Sequence, residues 1–166
     1  VQTCALPISK NLNHELLASY RSIGTDLEKS GKYAEAAVRY KRALALRSKL
    51  AETSPSDFID LEYDLAALYR RQGDAAKAKG DLGAAQNDYE QAFALHQRLV
   101  AQHPGDPIHR QPLLDSLITL LQLAQQRGDR VAAKRHLQAA RAMQADLAQK
   151  GLFVSDDVLQ LLRGPP

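Results

Sequence analysis

The sequence predicts an all-α protein, an α-solenoid of three antiparallel helical hairpins followed by a short C-terminal capping helix. One layout occurs three times: a glycine (Gly31, Gly80 or Gly128) precedes a small residue five positions on, a large one nine on and a small one twelve on. These glycines are 49 and 48 residues apart, and an internal period of this size indicates stacked repeats. The composition agrees, since 45% of the 166 residues are hydrophobic but only 5% are aromatic.

The first nine residues, 1–9, are predicted to be a non-native tail. With ordinary codons they back-translate to a sequence that resembles a sequencing-library adapter, so we exclude them from the fold. The only cysteine, Cys4, lies there and supports neither a disulfide nor a catalytic thiol. The native N-terminus is then expected upstream, which makes this chain a C-terminal fragment and leaves the absence of a signal peptide uninformative. A cytoplasmic location is expected.

Residues 10–166 are predicted to form a single repeat domain with units at about 11–54, 56–103 and 106–150. In each unit a first helix with an apolar stripe leads to the glycine, which supplies a left-handed turn before the second helix. The second helices should continue to Ala51 and Val100, where Pro- and Gly-containing breakers follow. The three stripes are Leu16, Tyr20, Ile23 and Leu27; Leu65, Tyr69, Gln72 and Ala76; and Leu113, Leu117, Leu120 and Ala124.

Two positions compete for the turn of the second unit. Gly73 is an alternative to Gly80, because Ala78, Leu82 and Ala85 also keep the small-large-small spacing, seven residues earlier. The 49-residue register favours Gly80 and puts Gly73 inside the first helix.

The C-terminal segment 155–163 is predicted to be the capping helix. Lys150-Gly151 is typical of a helix end, and Ser155 can cap a new helix whose first turn carries Asp156 and Asp157. The apolar residues of this helix should cover the open end of the third hairpin; they are Val158, Leu159, Leu161 and Leu162.

On these positions the chain resembles the tetratricopeptide repeat family, whose motif places W-x2-L-G-x2-Y on the first helix and A-x3-F and a later A on the second. The match is closest in the first unit, at Tyr20, Ile23, Gly24, Leu27, Ala36, Tyr40 and Ala43, with Ser48 in place of the closing proline. The third unit has Leu121 where the small first-helix residue belongs. The period is longer than the 34 residues of the family and looks like that of bacterial proteins that join helical arrays to signalling domains.

Charge and motifs give little support to nucleic-acid binding or catalysis. The net charge of +3 comes largely from the third unit, whose cations alternate with apolar residues as on a solvated helix face. We weigh an acidic protein surface and, less so, nucleic acid as partners for this face. The histidines are expected at the surface, too scattered for a metal site; they are His14, His96, His103, His109 and His136. No catalytic residue, cofactor or metal is expected.

The resemblance implies a non-catalytic protein-interaction module that binds a peptide or helix of a partner in a concave groove formed by the first helices. The predicted groove residues are Arg21, Thr25, Glu28, Arg70, Asp74, Lys77, Ile118, Gln122 and Gln125, with Ala18, Ala67 and Asp115 at further groove-facing places. The chaperone-tail clamp of the family is missing, because its places hold Arg21, Thr25, Arg71, Asp115 and Thr119. An alternative is a regulatory or substrate-recruiting array of a bacterial kinase, protease or NTPase whose catalytic domain lies upstream.

Overall fold

A computed structural model describes residues 6–46 and 55–163, and these ranges contain α-helices, one 3-10 turn and no strand. Three hairpins succeed one another, followed by a short last helix. The α-helices are α1 (Leu6–Lys29), α2 (Tyr33–Leu44), α3 (Pro55–Ala78), α4 (Leu82–Gln102), α5 (Arg110–Gln126), α6 (Arg130–Gln149) and α7 (Asp156–Arg163), with the 3-10 turn at Pro107–His109 before α5. The predicted all-α fold of antiparallel hairpins is confirmed.

The three hairpin turns share one hydrogen-bond pattern. At the first turn Gly31 has φ 73° and its N–H donates to the carbonyl of Glu28, while the N–H of Lys32 donates to that of Leu27. Gly80 and Gly128 repeat both bonds with φ 81° and 69°. This is the Schellman ending of a helix, and its left-handed residue favours glycine. Gly80 is therefore the turn of the second hairpin, and Gly73 lies inside α3 as the 49-residue register predicts.

A glycine in the first helix lets the two helices of a hairpin approach closely. A Cβ atom at Gly24 would lie 2.6 Å from Cε1 of Tyr40, and one at Gly73 would lie 2.5 Å from Cε1 of Tyr89. Both tyrosine rings are buried, so surrounding side chains restrict any movement of the ring away from an added Cβ atom. In the third hairpin the corresponding positions are Leu121 and Leu137, so the glycine and the tyrosine are replaced together.

The small residues of the second helices behave differently along the chain. Ala36 and Ala85 are fully buried, as their spacing predicts. Ala133 is half-buried, so the expectation that all three alanines are buried is wrong for the third hairpin.

The ends of two helices differ from expectation. α1 begins at Leu6, inside the segment 1–9, whose non-native origin remains a prediction. α2 ends at Leu44 rather than continuing to Ala51: its last turn tightens, with the N–H of Leu46 bonded to the carbonyl of Ala43, and Leu46 becomes buried. Ser48 and the rest of the predicted continuation lie outside the described residues.

α7 covers the end of the third hairpin, as predicted. Leu162 and Val154 join a buried cluster with Leu114 of α5 and Leu147 of α6. Arg141 of α6 fixes the end of α7, because its Nε donates to the carbonyl of Leu162 at 2.8 Å. None of the described helices is both long and apolar enough to cross a lipid bilayer.

The chain divides into two compact units, Val1–Gln72 and Gly73–Pro166, and the boundary falls within α3. In the first unit the described core includes Tyr40, Phe58 and Leu61. In the second, the predicted stripe of α5 is buried at Leu113, Leu117, Leu120 and Ala124. The corresponding stripe of α1 is not, since Leu16 and Ile23 are exposed there.

Candidate functional site

The first unit contains a concave pocket of about 480 Å³ formed by three helices. The first helices of two successive repeats, α1 and α3, supply most of its lining, and α2 supplies the rest. Of the predicted groove positions, Thr25, Glu28 and Ala67 line this pocket. The other lining residues are Lys29, Tyr33, Tyr40, Asp64 and Arg71.

The inner wall of the pocket is a polar network around the hydroxyl group of Tyr40. This hydroxyl donates to Oε2 of Glu28 at 3.2 Å and lies 3.2 Å from Oγ1 of Thr25. Burial raises the pKa of the Tyr40 phenol above its ordinary value of 10.0, so the group stays protonated and remains a donor. Glu28 in turn forms an ion pair with Arg71 of α3. The network therefore connects all three helices that form the pocket.

Arg21, predicted as a groove residue, is engaged in an ion pair within the first unit. Its Nε donates to Oδ2 of Asp64 at 2.8 Å, and its Nη1 lies 3.7 Å from Oδ2 of Asp60. These contacts join α1 to α3 and direct the guanidinium toward acidic side chains of the same chain. Arg21 thus helps to hold the two helices that flank the pocket.

The fixed charges of the pocket nearly compensate one another. Arg71 is paired with Glu28, and Asp64 is paired with Arg21. Lys29 remains as an exposed cation at the pocket, and its nearest acidic atom, Oδ1 of Asp26, is 3.9 Å away. An exposed pair at this distance contributes little, so Lys29 can exchange this contact for one with a bound acidic group.

The remaining predicted groove residues are distributed over both units. Arg70 is exposed in the first unit. In the second, Asp74 accepts a hydrogen bond from the Tyr89 hydroxyl at 2.7 Å, which repeats the Tyr40 contact one repeat later. Lys77 is half-buried, Ile118 packs against the core cluster of α5, α6 and α7, and Gln122 and Gln125 are exposed. These residues belong to the second unit and do not line the pocket described above.

Sequence reasoning missed Lys29 and Tyr33 as pocket residues. They flank the turn at Gly31, which reverses the chain and returns Tyr33 to the side of α1. The available signal was a tyrosine directly after a predicted turn, at a position that the small-large-small spacing does not use.

The histidines are not all at the surface, which corrects that expectation. His109 and His136 are buried, and the His109 ring lies 5.0 Å from that of His103. The 3-10 turn Pro107–His109 causes this arrangement by folding back toward the end of α4. Arg110 holds the connection closed: its guanidinium donates to the carbonyls of Pro104 and Asp106 and lies 2.6 Å from a carboxylate oxygen of Asp146.

The described residues also show where the possible metal ligands and the cations of the third repeat lie. No three side chains of His, Cys, Asp or Glu in residues 6–46 and 55–163 are placed to hold a metal ion. On the basic third repeat, Arg127 bonds to Gln86, Arg141 to the carbonyl of Leu162, and Lys150 to Asp146. Arg130 and Lys134 are exposed on the same repeat.

Comparison with known proteins adds little to this description. No protein-family model matches the chain, and no curated protein matches it. Among solved structures, the crystal structure of BtubC (BKLC) from P. vanneervenii is similar to this chain, with a TM-score of 0.42 and 19% identity over 86% of this chain and 68% of that chain. A likeness at this level carries no argument about family or function.

Proposed function

We propose that this chain is a non-catalytic protein-interaction module of the tetratricopeptide type, and that the pocket of the first unit binds a peptide or helix of a partner protein. The observation that carries the proposal is the lining of the pocket. Thr25, Glu28 and Ala67, which the resemblance to the tetratricopeptide repeat family assigns to a ligand-facing wall, come from two successive first helices and face one cavity. Its volume lies within the range of ligand-binding pockets, and its lining is largely polar and charged.

The chemistry of the pocket suggests the kind of segment that it binds. Tyr33 and Ala67 offer apolar surface, while the charges of Arg71 and Asp64 are already compensated. Lys29 is the cation left to attract a ligand. We therefore expect a peptide with one acidic residue near Lys29 and an apolar or aromatic residue against Tyr33 and Ala67, rather than a uniformly acidic tail. A micromolar dissociation constant, about −8 kcal/mol, is the expected range for such a contact.

The experiment is selection of binders from a random 12-residue peptide library on the full chain, followed by affinity measurement on synthetic peptides. Ala67→Phe fills the pocket from α3 and should weaken the selected peptides at least tenfold. Ala94→Phe is the matched control, because Ala94 is exposed on α4 and its replacement should change affinity by less than about twofold. Circular dichroism melts of both variants establish that each remains folded.

Charge reversal tests the same site from its rim. Lys29→Glu should reverse the preference, so that peptides with a basic residue gain affinity over those with an acidic one. Lys134→Glu, at an exposed position of α6, is the control and should leave the preference unchanged. The proposal fails if the selected peptides bind Ala67→Phe as tightly as the parent chain, or if Lys29→Glu leaves the charge preference in place.

A further inference from the structure

One apolar stripe of α1 is exposed. Leu12, Leu16 and Ile23 have relative exposures of 61%, 36% and 42%. Tyr20, at the intervening position, is half-buried. These residues are four, four and three positions apart, so they lie along one side of the helix. We call Leu12, Leu16, Tyr20 and Ile23 the α1 stripe. An exposed row of large apolar side chains marks an interaction surface more often than isolated ones do.

The same positions are covered in the two later repeats. In the second repeat, 49 residues on, Leu61, Leu65 and Tyr69 have exposures of 0%, 3% and 7%, and Gln72, at the place of Ile23, is half-buried. In the third, 48 residues further, Leu113, Leu117 and Leu120 have exposures of 6%, 4% and 3%. The α1 stripe is therefore the first-repeat copy of a surface that this chain buries wherever another repeat comes before it.

In both units, a side chain of the preceding second helix contacts this surface. In the second unit, Phe93 of α4 packs against the clusters that contain Leu117 and Leu120 of α5. Nδ1 of His96 on α4 also lies 2.8 Å from Oγ of Ser116 on α5. In the first unit, Nζ of Lys41 on α2 lies 5.5 Å from the centre of the Tyr69 ring on α3. In the second unit the covering helix is therefore α4, the second helix of the preceding repeat. In the first unit α2 has the same place in the order and contacts Tyr69, while α1 contacts α3 through Arg21 and Asp64.

We propose that the α1 stripe is a docking surface for the second helix of a further helical hairpin that precedes α1 in the polypeptide. The chemistry of that helix follows from α4: an apolar or aromatic side chain at the place of Phe93, with small residues at the places of Ala85 and Ala92. The order of covering helices in this chain supports this occupant over a separate protein. This surface is distinct from the pocket, so the inference does not depend on the function proposed above.

A second copy of this chain is the competing occupant. Head-to-tail stacking would have to bring the α6 side of one copy onto the α1 stripe of another. That side is already covered, because α7 joins the cluster of Leu147 and Ala140, and Arg141 binds the carbonyls at the end of α7. Such stacking would displace α7. The two ends of the array are therefore unequal, with one capped and one open.

The test adds a hairpin of known sequence in place of the preceding one. A copy of residues 55–106, with 103–106 as its connecting loop, is joined directly ahead of Lys10 in place of residues 1–9, so that Lys10 takes the place that Pro107 has after this loop. If the stripe docks the second helix of the added hairpin, the extended chain should melt in one transition about 5 °C or more above the parent. Amide exchange in α1 should slow at least tenfold.

Two pairs of substitutions identify the stripe as the cause. Leu12→Gln with Leu16→Gln should leave the melting temperature of the parent within about 2 °C, because both side chains are exposed there, and should remove the gain in the extended chain. Val131→Gln with Phe153→Gln is the matched control, since both residues are 82% exposed and neither belongs to the stripe. This control pair should leave the gain intact.

Three results would overturn the proposal. The extended chain could melt in two transitions, or without a gain over the parent. The gain could survive Leu12→Gln with Leu16→Gln. Sedimentation of the parent could show a dimer that these two substitutions dissociate, and a second copy would then be the occupant of the stripe.

Discussion

The close contact between Gly73 and Tyr89 leads to a quantitative prediction for Gly73→Ala. An alanine Cβ would lie 2.5 Å from Cε1 and 2.6 Å from Cδ1 of the Tyr89 ring, well inside van der Waals contact. The ring is buried and its hydroxyl donates to Asp74 at 2.7 Å, so it cannot rotate away without losing that bond. Overpacking of this kind costs about 1–3 kcal/mol.

A matched glycine separates this clash from the intrinsic preference of helices for alanine, about 1 kcal/mol in a helix interior. Gly83 is exposed in the first turn of α4, and a Cβ there would meet only Oδ1 of Asp81, at an ordinary 3.6 Å. Gly83→Ala should therefore be neutral or stabilising. The free energy of unfolding of Gly73→Ala should lie about 1–3 kcal/mol below that of Gly83→Ala.

The third hairpin suggests the compensating change. It has Leu121 and Leu137 at the places of Gly73 and Tyr89, so a larger first-helix residue accompanies a smaller, non-aromatic partner. Tyr89→Leu alone should cost about 1 kcal/mol from the lost hydrogen bond to Asp74, besides any loss of packing. In the Tyr89→Leu background, Gly73→Ala should cost at least about 1 kcal/mol less than in the parent, a coupling within the range of contacting residues.

Urea unfolding followed by circular dichroism measures all four members of this cycle and the Gly83→Ala control. The midpoint should shift at an unchanged slope, because no variant alters the surface exposed on unfolding. The packing argument is refuted if Gly73→Ala is as harmless as Gly83→Ala, or if the coupling energy with Tyr89→Leu is zero.

Three further predictions concern other parts of the chain. Ala36→Leu and Ala85→Leu should each cost about 1–3 kcal/mol in urea unfolding, whereas Ala133→Leu should stay within about 0.5 kcal/mol, because the first two positions are fully buried and the third is not. Tyr40→Phe should lower the free energy of unfolding by about 1 kcal/mol, since it removes the hydroxyl that contacts Thr25 and Glu28, while Tyr33→Phe serves as the control for a half-buried ring. Burial lowers the pKa of His109 and of His136 below the ordinary 6.5, so the unfolded chain binds protons more readily than the folded chain as the pH falls below about 6.5. The urea midpoint should therefore decrease below this pH. His109→Gln should make that decrease smaller.

Much of the fold could be predicted because it depends on local rules. The glycine turns follow from a backbone conformation that other residues rarely adopt. The capping helix could be predicted from Ser155 and the apolar residues after it. The end of α2 could not, because the tightened turn after Ala43 depends on the burial of Leu46 in the folded core.

The candidate site was only partly predictable, for a related reason. The resemblance to the tetratricopeptide repeat family implied that Thr25, Glu28 and Ala67 lie on one wall, and all three line the pocket. It could not show that Arg21 is held by Asp64, because that ion pair joins side chains 43 residues apart and depends on how two helices pack. The exposure of the α1 stripe could not be predicted either, because periodicity identifies an apolar face but does not show whether a neighbouring helix covers it.

The most direct test of the proposed function is a nuclear magnetic resonance titration of the ¹⁵N-labelled chain with a peptide selected on it. Binding in the pocket predicts that the largest shift changes fall on Thr25, Lys29, Tyr33 and Ala67, saturate at one peptide per chain, and are lost in Ala67→Phe but retained in Ala94→Phe. Shift changes that concentrate on the basic side of α6, at Arg130 and Lys134, and leave the pocket residues unmoved would contradict the account.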